Sequence, residues 1–363
     1  MTTRMALKAN FFNAQEFLLV EHASLQASGC RFPSGVEALR LRSDQGELVL
    51  LPFQGQQIWS AAFLGRELTM RSMFSQPYPT RNFLETFGGF MQHCGATAMG
   101  SPGPTDTHPL HGELPNAPYQ KAWVVAGEDQ GGAYLSLGGE YEYAMAFGEH
   151  YLAQPLVKLY AGASMAQVSM TIHNLSGRPM PLMYLFHINY RPVDGARLVY
   201  SAPTDAAHMR VRTDLPGHVR LRPGYAEFIE VLSKQPEKHL LLSPELMFDP
   251  EVVFFIDYAC DSKGWAYAMQ LHPDGSADLV RHQPAQLSHG VRWICRTADQ
   301  DALGFEAGTA GVAGRTAEQA RGNLRWLPPG ESFSCNFEFG VCTPQQAGEV
   351  QRQIASILNH PGG

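Results

Sequence analysis

The spacing of apolar residues constrains this chain more than any other feature. Beyond Tyr119 they come in short stretches closed by Gly, Pro, Asn or Ser, at 132–138, 154–160, 167–173, 181–190, 252–257, 266–271, 277–281, 290–295 and 332–340. Short apolar runs punctuated in this way read as β-strands. Alternation is clearest at Val168, Met170 and Ile172, which share one face of a half-buried antiparallel strand. Two earlier runs, 47–51 and 57–63, flank a turn at 52–55, and Asp274-Gly275 marks a hairpin between two later ones. Only the C-terminus is convincingly helical, over 343–358, with Thr343 as N-cap, Pro344 at the first helical position and Gln346 closing a capping box. A shorter helical turn is expected at 316–320. No linker or composition shift divides the chain. The expectation is one domain over 1–363, with an N-terminal arm at 1–45. Its fold class is mainly β, a large antiparallel β-sandwich with few short helices.

Composition narrows the function. With 44% apolar and 17% charged residues, a chain of 363 has ample material for a large core. Its formal net charge of −7 argues against nucleic acid, which calls for a basic stripe. Arg210 and Arg212, with Arg220 and Arg222, read as sheet edges, with an anion site as the lesser alternative. No apolar run reaches the length that spans a bilayer. The six cysteines show no CxxC pairing, and Met1-Thr2-Thr3-Arg4 opens without an apolar leader. That pattern predicts reduced core cysteines and a cytoplasmic protein.

Residues 81–118 differ from the rest, being rich in Gly, Pro, His and Thr with little periodicity. A long loop of this kind is more often functional than filler. Its densest part, 105–119, holds His108, His111, Glu113 and Asn116. Pro109 spoils a helical metal-binding pair, so a polar contact to a hydroxylated ligand is the leading reading of the histidines. The glycines and aromatics of 87–96 suit either close approach to a ligand or tight turns. Within the run 181–190, alternation puts His187 on one face with Met183, Leu185 and Asn189, which suggests a polar pocket on a buried sheet. Glu306, beside Phe305 and small residues, is expected to be poorly solvated, which raises a carboxyl pKa toward that of a useful base; the alternative is a residue in a capped turn.

Taken as a set, these segments resemble a known family. Leu110-His111-Gly112 resembles the Leu-His-Gly loop of the galactose mutarotase (aldose 1-epimerase) family. The stretch from Met170 through Asn174-Leu175-Ser176 to His187 is similar to the turn and strand bearing that family's acid histidine. Gly304-Phe305-Glu306 resembles the segment of its base glutamate. The likeness runs from about residue 45 to 342 and is strongest to a mutarotase-like branch with Cys-Gly, His-Gly and Gly-[Ile/Phe]-Glu segments. It implies a β-supersandwich, a small-molecule sugar as partner, neither metal nor organic cofactor, and interconversion of the anomers of an aldose. A homodimer stays open. In the implied roles Glu306 is the base, His187 the acid, and His111 a partner to the ring oxygen or a neighbouring hydroxyl.

The likeness also has a gap. Members carry an arginine ahead of the His-Gly loop that holds a sugar hydroxyl, and here that region reads Phe87-Gly88-Gly89-Phe90-Met91-Gln92-His93. Arg81 and His93 are the candidates to replace it, Asn116 supports His111, Asn189 lines the pocket, and Asp257 stands for the substrate-binding aspartate. Two rival functions remain. One is a non-catalytic carbohydrate-binding or sensing protein on the same fold. The other is a metal-dependent enzyme using His93, His108 and His111.

Overall fold

Alternation decides how the strands stack. In Met165–Asn174, Ala166, Val168, Met170 and Ile172 are buried while the residues between them are more exposed, so one face looks into a core and the other outward. In a computed structural model of the chain, which describes residues 2–214, 219–246 and 248–359, such strands assemble into two antiparallel sheets. The smaller has nine strands and runs from Thr3–Leu7 at one edge through Met165–Asn174 and Ser332–Cys342 to Arg197–Tyr200 at the other. The larger, with thirteen, has Met180–Tyr190 near its middle, between Asp301–Gly308 and Met91–Ala96.

Aromatic pairs join the sheets. Phe186 of the larger sheet stacks on Phe337 of the smaller with ring centroids 4.1 Å apart, Phe90 lies 4.9 Å from Phe339, and Tyr184 lies 6.2 Å from Phe333. Each fully buried ring of this kind contributes roughly 2–3 kcal/mol of transfer free energy. The larger sheet is also covered on its other face. Every residue of Met180–Tyr190 is buried, with Leu182, Tyr184, Phe186 and Ile188 in the main core and Met183 and Leu185 in a second cluster with Phe83, Phe87, Val291 and Trp293. That second face carries the candidate site, under a roof made by the loops between 68 and 119.

Strand boundaries agree with the sequence pattern to within a few residues, and the C-terminal helix spans Pro344–Asn359 with the expected Thr343 and Gln346 cap bonds. The N-terminal arm, residues 1–45, is built into the sheets: Thr3–Leu7 edges the smaller one, and Phe17–His22, Leu25–Arg31 and Glu37–Arg42 are consecutive strands of the larger, with Leu25, Ala27, Leu39 and Leu41 in its core. Gly29 lies inside one of them, where the Phe12 and Phe17 rings approach within 3.1 Å of a Cβ position. The 81–118 region likewise contains a strand, Met91–Ala96, and a short 3-10 turn, Phe83–Glu85. A helix over Tyr225–Lys234 carries no side-chain cap and had no sequence signal beyond Tyr225, Ile229 and Leu232 on one face. The cysteines are all free, four of them buried, while Cys30 is half-buried and Cys260 exposed rather than in the core. Among the described residues no helix is long and apolar enough to cross a membrane.

Candidate active site

Antiparallel register brings the two principal candidates together. His187 pairs with Glu306 on the neighbouring strand, and Gln92 on the other side pairs with His187, so these side chains leave the same face of the sheet in one row. His187 Nε2 lies 3.4 Å from Glu306 Oε1, and the residues are only 4% and 5% exposed. Glu306 sits mid-strand in Asp301–Gly308, not in the capped turn that served as its structural alternative. A carboxyl and an imidazole this close and this deep are placed so that a proton could pass between them.

His111 completes the group from the roof. Its backbone is left-handed, with φ 60°, followed by Gly112 at φ 82°, and its ring lies 5.5 Å from that of His187. The turn is fastened by backbone bonds from Gly95 N to His111 O (2.9 Å) and from His111 N to Gly100 O (3.0 Å). Glu113 anchors the next residue. Its Oε1 accepts from Ala96 N, Thr97 N and the Tyr151 hydroxyl at 2.9–3.1 Å, so this buried carboxylate is a loop fastener. Glu113→Ala leaves two buried N–H groups unpaired and is expected to cost about 2–4 kcal/mol, read as a fall in Tm.

Burial dominates the electrostatics. It raises the Glu306 carboxyl to about 8, with Arg292 opposing, Glu251 reinforcing and Arg212 opposing more weakly. His187 is pushed well below its ordinary value by burial and then by His111, while Asn189 favours its charged form. Both shifts favour the uncharged forms, a protonated carboxyl beside a neutral imidazole.

The pair opens into a cavity of about 590 Å³ whose lining includes Phe83, Phe87, His111, Val291 and Trp293. Trp293 lies on the same face as Val291 and Cys295, and its indole N–H donates to Glu251 Oε2 at 2.7 Å. Arg212 binds the other Glu251 oxygen, so the indole is held as a fixed wall. Arg212, Arg220, Asp249, Glu251, Asp299 and Gln300 give the outer part both hydrogen-bond donors and acceptors. Sequence reasoning missed Trp293, Phe83 and Glu251, and favoured a sheet edge for Arg212 and Arg220, which line the cavity. Alternation in 290–295 puts Trp293 on one face with Val291, but no local signal says that this face is the functional one. Arg210 does lie in an edge strand, Met209–Val211, and Arg212 just past it, yet Arg212 lines the cavity.

The other sequence candidates lie outside the cavity lining. His93 is fully buried, its Nδ1 2.7 Å from the Tyr184 hydroxyl, because strand alternation turns it away from Gln92 and into the core between the sheets. Arg81 donates to Glu113 O, and Asn116 is bonded to Gln57 behind the loop. Asn189 is fully buried with its amide donating to Gly89 O, so it sits behind His187 instead of facing ligand. Asp257 is exposed and paired with Arg210. Asp257→Ala is expected to change kcat/KM by less than about twofold, and a larger loss would place this residue in the site after all. His93, His108 and His111 do not converge: His108 sits on the outer loop beside Asp106 and Pro109 O, away from the buried His93.

A family model described as a domain of unknown function (DUF4432) matches residues 33–341. No curated protein matches the chain. Among solved structures, a candidate aldose 1-epimerase from Klebsiella pneumoniae subsp. pneumoniae MGH 78578 superposes with a TM-score of 0.84 at 17% identity, covering 99% of this chain and 96% of that one. A galactose mutarotase-like protein from Clostridium acetobutylicum gives 0.61 at 12% identity, covering 88% and 98%. A candidate aldose 1-epimerase from Escherichia coli K12 gives 0.51 at 15% identity, covering 90% and 99%. These likenesses establish the galactose mutarotase-like sandwich as the fold.

Proposed function

The chain belongs to the DUF4432 family, and from its fold and site we propose that it is an aldose 1-epimerase, interconverting the anomers of a free sugar. One observation carries the reading: an imidazole and a carboxyl stand 3.4 Å apart at the buried end of a cavity. Mutarotation needs such a pair. The anomeric hydroxyl and the ring oxygen are bonded to the same carbon, so the group that takes a proton from one and the group that gives a proton to the other must stand side by side.

Glu306 as the carboxylate removes the anomeric proton, and protonated His187 delivers one to the ring oxygen as the C1–O5 bond breaks. The open-chain aldehyde turns about C1–C2. Closure runs the transfers backwards, from Glu306 to the aldehyde oxygen and from the C5 hydroxyl to His187. After opening, the proton is on Glu306, the form that its burial favours. The two forms differ only in which partner carries the proton, so passing it across the 3.4 Å contact readies the site for ring opening. His111 adds a polar contact at the sugar oxygens, and Trp293 supplies an apolar wall for a pyranose face. Trp293→Ala is expected to raise KM by roughly tenfold with a smaller change in kcat. A fall confined to kcat argues against a binding wall.

The test is NMR exchange spectroscopy on a panel of neutral, acidic and phosphorylated aldoses. The expected result is anomeric exchange above the solvent rate for at least one sugar. Sugar that binds while its anomers exchange at the solvent rate instead makes the protein a carbohydrate sensor. No acceleration for any sugar overturns the proposal.

A further inference from the structure

Directly behind Glu306 the sheet holds a group that the chemistry above does not use. Arg292 is fully buried. It pairs in register with Phe305, the residue before Glu306, so the guanidinium lies on the core face of the strands whose other face carries the carboxyl. Its Nε donates to the Tyr200 hydroxyl at 2.9 Å and its Nη1 to Gly304 O at 2.8 Å. Its Nη2 has no partner, and no carboxylate bonds to it, among the described residues. The Phe305 ring stacks 3.4 Å from its central carbon, with the Tyr200 ring at 5.1 Å.

A buried guanidinium without a bonded anion is costly, and two neutral acceptors with two aromatic faces offset only part of that cost. If the group served packing alone, an apolar side chain of similar length would fill the slot better. The titratable side chains that sense the charge on the core side are Tyr200, Tyr258 and His239, none of them an anion at neutral pH. On the site side Glu306 is faced by His187, Glu251, Arg212 and Cys94. Glu251 already has Arg212 and Trp293 on its oxygens. Glu306 is thus the nearby ionisable acid left without a bonded cation, and only one backbone layer separates it from Arg292.

We propose that Arg292 is a positioning residue of the active site, a fixed positive charge on the far side of the sheet that favours the anionic form of Glu306. The proposal rests on the reading of Glu306 as the base. The direction of the field is consistent with it, since Arg292 is the main group opposing the effect of burial on this carboxyl. Distance through one sheet layer leaves the interaction weakly screened, because no solvent separates the two.

The test uses Arg292→Met, which removes the charge but keeps an apolar filler, and Arg292→Lys, which restores a charge without the two-pronged hydrogen bonding. Carboxyl titration is followed by 13C NMR in glutamate-labelled protein, with Glu306→Gln assigning the signal. The expected result is a Glu306 midpoint about one pH unit or more higher in Arg292→Met and returned toward the wild-type value in Arg292→Lys. The acidic limb of kcat/KM should move in parallel. An unchanged midpoint in Arg292→Met, with only a lower Tm, assigns Arg292 to structure and overturns the proposal. Should Arg292→Met fail to fold, Arg292→Gln takes its place: a midpoint raised by about one pH unit or more supports the charge role and an unchanged one refutes it. The titration needs no turnover. A displaced midpoint in a protein that turns over no sugar keeps the Arg292 assignment and removes the epimerase, and the converse result removes Arg292 and keeps the epimerase.

Discussion

Glu306→Gln is expected to lower anomeric exchange by roughly a hundredfold or more, because the amide matches the carboxyl in shape but cannot take a proton. NMR exchange spectroscopy at saturating sugar reads the loss, and unchanged turnover removes Glu306 from the chemistry. Stability should move the other way. The buried carboxyl keeps its proton to about pH 8, against an ordinary 4.5. Between these values the folded chain binds more protons than the unfolded chain, so this group's contribution is fully present below the window and is lost as pH rises through it. The loss is on the order of a few kcal/mol. Glutamine has no charge to bury and escapes it. The variant's Tm advantage over wild type is therefore expected to grow from pH 5 to pH 8 and then level off. A Tm difference independent of pH means the carboxyl is not as poorly solvated as its burial implies.

The same residue shows how far the sequence could be read. Glu306 was singled out because Phe305 and small neighbours predict poor solvation, and it is only 5% exposed. What its neighbours in sequence could not tell is that it faces His187, because register is set by long-range pairing and not by local pattern. Alternation predicted the two faces of 181–190 correctly, with Met183 and Leu185 on the His187 side. The same rule gives no guidance where it lacks a starting phase. His93 belongs to a six-residue strand that is buried on both sides, so no exposed residue marks which face is which, and Gln92 rather than His93 shares the face of His187. Arg81, Asn116 and Asp257 rest on the family likeness and on chemical type alone. Their bonds to Glu113 O, Gln57 and Arg210 use the same polar chemistry for support.

Segments 17–42 were hard to read for another reason. Their strands are short, Gly29 interrupts the pattern, and Arg40 and Arg42 pair with Glu16 and Glu47 along the outer face. Such edges look like polar arms until a partner strand is seen beside them. Trp293 and Glu251 are separated by 42 residues and touch through one indole N–H at 2.7 Å. Neither residue type nor spacing announces that contact.

Gly112→Ala is the second substitution expected to have a large effect, and it separates the geometry of the His111 turn from its chemistry. A Cβ at position 112 would lie 2.2 Å from Ala98 O and 2.6 Å from Gly95 O, and φ is +82°. Both clashing atoms are backbone, so no side-chain rotation relieves them. Relief must come from moving the segment that bonds Gly95 N to His111 O. The expected cost is about 3 kcal/mol or more in stability, together with a loss of turnover of tenfold or more as His111 leaves its place beside His187. His111→Asn is the comparison. Asparagine tolerates the left-handed backbone of this position, so this variant should melt within a few degrees of wild type while losing activity. If Gly112→Ala melts and turns over like wild type, the left-handed turn does not hold the site. If it loses stability but keeps its turnover, His111 is no partner of the sugar.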